Sequence, residues 1–401
     1  MKTIAACLLA AGLVAAAPAV AQTPMPGVTD SEIRIGNTMP YSGPVSAFGL
    51  AGRVMTAYFD QINGKGGING RKLNLLSLDD AFSPPKTVEA VRRLVESDNV
   101  AFIFGTMGTA PSSAVAKYLN LNKVPQIFLI STAAKWNDPV NMPWSIALPW
   151  GPNYLMEAAM DVQYARAQNP NARFAVLYQN DDAGKEYLRG VREALGQDAD
   201  KAIAMASSFE VADPTVDSQV LTLANTKADV FMIYSVTPRA CAQAVRKAYE
   251  AGWQPLRFIS SGCANTSAVM VPAGIEAATG TLSLTALKPY DTETAKDPGL
   301  AEYTAFMRER FANTDPNNSA AIYGYYVSQA LVALLERCGN NLSRENIMAQ
   351  AASLQNVELP MLMPGIALNT TKDDFRAIKD GYMVRFDGSR WIVISERLRG
   401  K

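Results

Sequence analysis

The stretch 102–136, FIFGTMGTAPSSAVAKYLNLNKVPQIFLISTAAKW, limits the possible folds more than any other part of the chain. Residues 100–104 and 127–130 are short apolar runs rich in β-branched and aromatic side chains, and 112–121 carries apolar residues at helical intervals. Two short strands joined by a helix run parallel in one sheet. Both strand-to-loop turns then lie at its carboxyl edge, where open α/β sheets bind ligands. Those turns, Gly105-Thr106-Met107-Gly108-Thr109 and Ser131-Thr132-Ala133-Ala134, hold glycines, hydroxyls and small side chains. Such residues let N–H groups and Oγ atoms close on a small anion, although either loop alone is also ordinary turn chemistry. Two on adjacent strands favour binding.

The same alternation extends both ways. Before it, a strand at 31–37, a helix at 50–63, a glycine-laden turn at 64–71, a strand at 72–78 and a helix at 86–97 are expected. Residues 144–152 read as a crossing between domains, after which alternation resumes: helices at 154–168, 185–195, 215–225 and 239–251, with strands at 174–178, 202–209, 230–234, 257–260 and 280–284. The last third is mixed, with helices at 300–311, 320–337 and 344–353, and a hairpin of 382–386 and 391–394 about Asp387-Gly388. The fold class is therefore α/β, with two doubly wound parallel-sheet lobes.

Several function classes drop out. Met1-Lys2, the apolar run 4–17 and the small residues Ala19-Val20-Ala21 read as a signal peptide, 1–21, so a secreted, periplasmic chain is expected. No later run is long enough to span a bilayer. Lys plus Arg and Asp plus Glu both count 37, which argues against nucleic acid as a partner. Histidine is absent, removing the commonest general base and metal ligand. Thr132-Ala133-Ala134-Lys135 lacks the companion motifs of a Ser-x-x-Lys enzyme, and Asp182-Ala183-Gly184-Lys185 lacks the glycine and hydroxyl of a P-loop. No catalytic residue, metal or cofactor is expected. Cys241 and Cys263 each follow a strand at the same sheet edge, so a disulfide between them is expected, with Cys338 a free thiol.

Taken in order, Tyr41-Ser42-Gly43-Pro44, the run 62–72 (INGKGGINGRK), Asp79-Asp80, the two loops above, 178–184, 234–238, Ala264-Asn265 and 323–326 carry a pattern. It resembles the leucine/isoleucine/valine-type periplasmic binding proteins, the receptors of branched-chain amino-acid ABC importers, over nearly the whole mature chain. The resemblance implies two lobes joined by three crossing strands, near 148–151, 284–287 and 383–386, which clamp a ligand between them. The first lobe is then 28–148 with 286–383, and the second 149–285 with 384–398. It also implies a monomer handing a small molecule to an inner-membrane permease. A ligand-sensing receptor of the same fold remains an alternative.

In that family the first lobe fixes the ligand carboxylate, which maps here to Thr109, Thr132, Ala133 and Ala134, beside Met107 and Gly108. A buried carboxylate needs several such donors. The family's glutamate for the ligand ammonium falls at Ser261, and a hydroxyl shared with that ammonium aligns with Ala134. Two losses on one ligand group point to a carboxylate-bearing solute without an α-amine, aromatic or aliphatic. The alternative is an amino acid, with Asp181 or Asp182 replacing the missing acid. Phe48, Tyr234 and Tyr323 are placed on the cleft walls, where rings suit a flat apolar body, while Trp150 reads as hinge packing. Phe82 and Gly108 stand where amino-acid binders often bridge two loops by a disulfide.

Overall fold

The computed structural model describes residues 25–148, 150–290 and 296–400. The expected signal peptide, 1–21, lies outside them. Five strands, β1 (Glu32–Met39), β2 (Lys72–Asp79), β3 (Phe102–Phe104), β4 (Gln126–Leu129) and β5 (Ser145–Ala147), form a parallel sheet in the order β2-β1-β3-β4-β5. Strand order reverses between β1 and β3, so the loops after them open a crevice at the carboxyl edge. β5 corrects the reading of 144–152 as a bare crossing. Three residues are enough here because Ser145–Ala147 continues the register begun by β4.

Three helices connect these strands: α1 (Gly49–Gly64), α2 (Pro84–Arg92) and α3 (Thr109–Leu121). α1 buries Ala51, Val54, Met55 and Phe59, a stripe at helical spacing. Against that stripe lies the helix Ser319–Cys338, whose apolar residues run almost all round it and are nearly all buried. Gly324 permits the close approach, since a Cβ there would stand 2.6 Å from the Ala51 carbonyl oxygen.

The second lobe has helices α4 (Tyr154–Gln168) and α5 (Asp182–Leu195) and strands β6 (Phe174–Gln179), β7 (Ile203–Phe209), β8 (Val230–Tyr234), β9 (Leu256–Ile259) and β10 (Leu282–Thr285). Its remaining strands are β11 (Asp380–Phe386), β12 (Trp391–Val393) and β13 (Leu398–Arg399). The order is β12-β11-β10-β9-β8-β6-β7, with β13 beside β11. β6 to β10 are parallel, while β11 pairs antiparallel with both β10 and β12, so this sheet is mixed rather than wholly parallel. β8 is buried along its whole length, as the centre of a sheet covered on both faces must be.

The chain passes between lobes three times, side by side. Ala286 N–H donates to the Trp150 carbonyl at 3.0 Å, tying the first passage to the second. The third differs from expectation. β11 pairs with β10 over Tyr382–Arg385, so 380–383 lies in the second sheet and the passage comes before it. The hairpin about Asp387-Gly388 uses only Val384–Phe386 of β11; it is the pairing of Tyr382–Arg385 with β10 that carries the earlier part of the strand into the second sheet.

The crevice loops are held by polar contacts, exposed at Asp79 and buried at Asp80 and Asn37. Asp79 accepts from Tyr41 N–H (2.9 Å), Ser42 N–H (3.2 Å) and Ser42 Oγ (2.6 Å), so the Tyr41–Ser42 and Asp79 motifs form one turn. Asp80 accepts from Phe82 N–H (3.0 Å) and Thr87 Oγ1 (2.9 Å). Asn37 Nδ2 donates to the carbonyls of Phe104 (2.7 Å) and Gly105 (3.1 Å), fixing the end of β3. In the second lobe Cys241 and Cys263 form a disulfide, and Cys338 is a buried free thiol.

Gly108 sits at φ +98°, and a Cβ on it would stand 2.3 Å from Phe82 Cε2. A ring packed on a bare backbone holds these two loops together. Gly108→Ala should therefore destabilise the protein by about 1–3 kcal/mol, through strain and overpacking together. Denaturant unfolding measures this, and a change below about 0.5 kcal/mol would show that ring and loop are not in tight contact.

Candidate functional site

Hydroxyls of the first lobe gather where β3 and β4 end. Ser131 Oγ accepts from Trp136 Nε1–H (2.8 Å) and Ala133 N–H (3.2 Å), which occupies both its lone pairs. Its own proton therefore goes to Thr109 Oγ1, 2.7 Å away. Thr109 Oγ1 also lies 3.2 Å from the Tyr154 hydroxyl, at the start of α4 in the other lobe. Thr132 Oγ1 is buried without a hydrogen-bond partner among the described residues, and Thr132 borders a hollow of about 10 Å³ beside Arg376.

The Ala134 N–H is taken. It donates to Glu186 Oε1 at 2.7 Å, a carboxylate brought across the cleft by α5. Burial pushes the Glu186 carboxyl up from its ordinary value, while the Ala134 N–H, Arg189 and Lys135 draw it back. Asp182 is ion-paired with Lys135 at 2.7 Å, and Asp181 caps α5 by accepting from Gly184 N–H at 3.0 Å. Both acids thus have partners within the protein.

The second-lobe wall holds acids that sequence reasoning missed. Glu157 accepts from Ser261 N–H (2.7 Å), Ser261 Oγ (2.7 Å) and the Tyr187 hydroxyl (2.8 Å). One turn on, Asp161 accepts from the Tyr234 hydroxyl at 3.0 Å, and Tyr187 and Tyr234 stack with centroids 4.2 Å apart. Tyr234 is thus fully buried behind the wall, because an acid inside the lobe claims its hydroxyl. Met107 is likewise buried in the first-lobe core and forms no part of the cleft surface. A signal for the acids exists: Tyr154, Glu157, Ala158 and Asp161 share one face of α4, all buried, so two carboxylates sit on a face that should be apolar.

Phe48, Ser261 and Tyr323 do come together, lining a cavity of about 80 Å³ between the lobes. Its centre is Trp150, from the first passage. Its ring lies nearly parallel to Phe48 (centroids 6.3 Å, planes 12° apart) and edge-on to Tyr323 (4.7 Å), and its Nε1–H donates to Ser261 Oγ at 2.9 Å. The Tyr323 hydroxyl donates to the Leu148 carbonyl. Trp150 is therefore a cavity wall as well as hinge packing. On the far rim Asn265 Nδ2 donates to Ser319 Oγ (2.7 Å), and Asn318 Nδ2 to Ser267 Oγ (3.2 Å), so the lobes touch on both sides.

A family model described as a periplasmic binding protein matches residues 32–390. The chain belongs to the periplasmic binding protein family. Leu/Ile/Val-binding protein homolog 7 of Brucella suis biovar 1 (strain 1330) is 24% identical to it over 345 residues, 84% of this chain and 82% of that one. A branched chain amino acid ABC transporter structure from Thermus thermophilus, with bound valine, superposes with a TM-score of 0.80 at 14% identity, covering 93% of this chain and 98% of that one. A fatty acid ABC transporter substrate-binding protein from Thermomonospora curvata gives a TM-score of 0.77 at 22% identity, over 94% and 95%. Membership makes this a binding protein of two α/β lobes, not an enzyme. No helix among the described residues is long and apolar enough to cross a membrane.

Burial pushes the Glu157 carboxyl up to about 7, against its hydrogen bonds to Ser261 and Tyr187. Asp161 is raised well above the usual range by burial and by the neighbouring Glu157 charge. A raised acid binds its proton more tightly in the folded chain. Its stabilisation is complete below the unfolded value of 4.5 and is lost as pH rises through about 7. Between about pH 5 and about pH 8 the thermal midpoint of wild type should fall relative to that of Glu157→Gln, whose side chain cannot titrate. A difference that stays flat, or opens the other way, would contradict a buried acid at this position.

Proposed function

We propose that this chain is the periplasmic receptor of an ABC importer, binding a small carboxylate-bearing solute between its lobes and presenting the closed form to an inner-membrane permease. One observation carries the ligand class: the Ala134 N–H already holds a carboxylate, that of Glu186. A ligand carboxylate would take this place, with Thr109 and Thr132 as its hydroxyl donors, since a charge enclosed between lobes needs several donors. The apolar part would lie toward Phe48, Trp150 and Tyr323, where rings on two walls suit a flat body. The fatty-acid relative, whose ligand class bears a carboxylate and no amine, supports this reading.

A second reading, an α-amino acid, is favoured by the names of the Brucella and Thermus relatives. Against it, Ser261 offers the ligand a neutral oxygen, and Asp182 is spent on Lys135. Closure follows from differential affinity: a solute held by both lobes at once binds the shut form better and shifts the population toward it. The expected signal peptide, 1–21, supports export, and the chain is expected to act as a monomer.

A thermal-shift screen of the mature protein against leucine, isoleucine, valine, benzoate and phenylpyruvate tests the ligand class. A ligand at a hundred times its dissociation constant adds ~2.7 kcal/mol. The aromatic acids should raise the midpoint and the amino acids should not. Thr132→Val should weaken the best acid about tenfold or more, the worth of one hydrogen bond to a charged group. A large shift with leucine alone would overturn the preference for an acid without an amine.

A further inference from the structure

We infer that the cleft wall at Ser261 recognises a hydrogen-bond donor on the ligand, which makes the solute a hydroxylated acid. This rests on the carboxylate reading above and narrows it. A serine hydroxyl has one proton and two acceptor positions. The Ser261 proton goes to Glu157 Oε2 at 2.7 Å, and the Ser261 N–H goes to Glu157 Oε1 at 2.7 Å. Both polar hydrogens of the residue therefore point away from the cleft. One acceptor position of Oγ takes the Trp150 Nε1–H at 2.9 Å. The other is left for the cavity that Ser261 lines.

Glu157 thus sets the polarity of the wall without touching the ligand. It is a positioning residue. Its own surroundings hold it in the accepting role: Tyr187 from α5 adds a third donor, and Asp161, the other acid on this face, takes its own hydrogen bond from the Tyr234 hydroxyl. A ligand carbonyl or second carboxylate set against Ser261 Oγ would meet lone pair with lone pair. A hydroxyl would bond to it. An ammonium would find only a neutral oxygen there, with the Glu157 charge one layer behind and already taking three hydrogen bonds. The indole N–H of Trp150 illustrates the group the wall accepts: a neutral donor on a flat aromatic body.

Isothermal titration at pH 8, above the raised value of Glu157, tests this with two matched pairs, 4-hydroxybenzoate against benzoate and 3-phenyllactate against 3-phenylpropionate, plus phenylalanine. In wild type the hydroxylated member of at least one pair should bind about tenfold tighter than its partner, and tighter than phenylalanine. Ser261→Ala should bring that preference below about threefold. Glu157→Gln should shrink or reverse it, because the amide can donate to Ser261 Oγ and turn the serine proton toward the ligand. The serine variant keeps the test open if the buried glutamine does not fold. Equal binding within both pairs, a preference that survives Ser261→Ala, or tightest binding of phenylalanine would overturn the inference and leave the carboxylate loops standing. No binding by any acid would overturn those loops as well.

Discussion

A single backbone amide, Ala134 N–H, states the main constraint on this molecule. It lies at the end of a parallel strand, between two lobes, and a carboxylate from across the cleft is bonded to it. Anions between low-dielectric walls persist only where donors meet them, and β4 ends in a loop that supplies donors. The order β2-β1-β3-β4-β5 places that loop beside the β3 turn that bears Thr109. Helix α1 and its partner Ser319–Cys338 then back the sheet and bring Phe48 and Tyr323 to the interlobe cavity that Trp150 and Ser261 also line.

The loops at the crevice are braced from several sides. Asn37, Asp79 and Asp80 hold the first-lobe turns from beneath, and the Phe82 ring rests on the Gly108 backbone. In the second lobe the Cys241–Cys263 bond anchors the turn that carries Ser261. The lobes are joined by the chain passages, by polar contacts such as Lys135–Asp182, Asn265–Ser319 and Ala134–Glu186, and by a buried apolar cluster to which both contribute. A surface ion pair such as Lys135–Asp182 is typically worth ~0–1 kcal/mol, and a ligand that adds contacts to both lobes favours the shut form.

Much of the fold was legible because parallel strands and their helices alternate with clear apolar periods, and because Asp387-Gly388 marks its hairpin plainly. β5 was hidden: Ser145–Ala147 is too short for a period-2 pattern, and only its pairing with β4 makes it a strand. The third passage was placed within the strand 382–386 because a hairpin signal marks where a strand turns, not which sheet it joins, and only the pairing with β10 shows that. At the site, the hydroxyl loops follow from strand ends, but the partners of side chains do not. Tyr234 follows a strand as a cleft residue should, yet Asp161 draws its hydroxyl inward. Glu157 was overlooked because an acid on an apolar face reads as noise until Ser261, 104 residues away in sequence, is found against it.

A crystal structure of the mature protein with 4-bromobenzoate, phased on the bromine, puts the central claim to its most direct test. A carboxylate oxygen of the ligand should lie within hydrogen-bond distance of Ala134 N and of the Thr109 or Thr132 hydroxyl. Glu186 should have moved off that amide, and the bromine should lie toward Phe48 and Tyr323. Glu186 still bonded to Ala134, with bromine density outside the cleft or the acid reversed within it, would contradict the account.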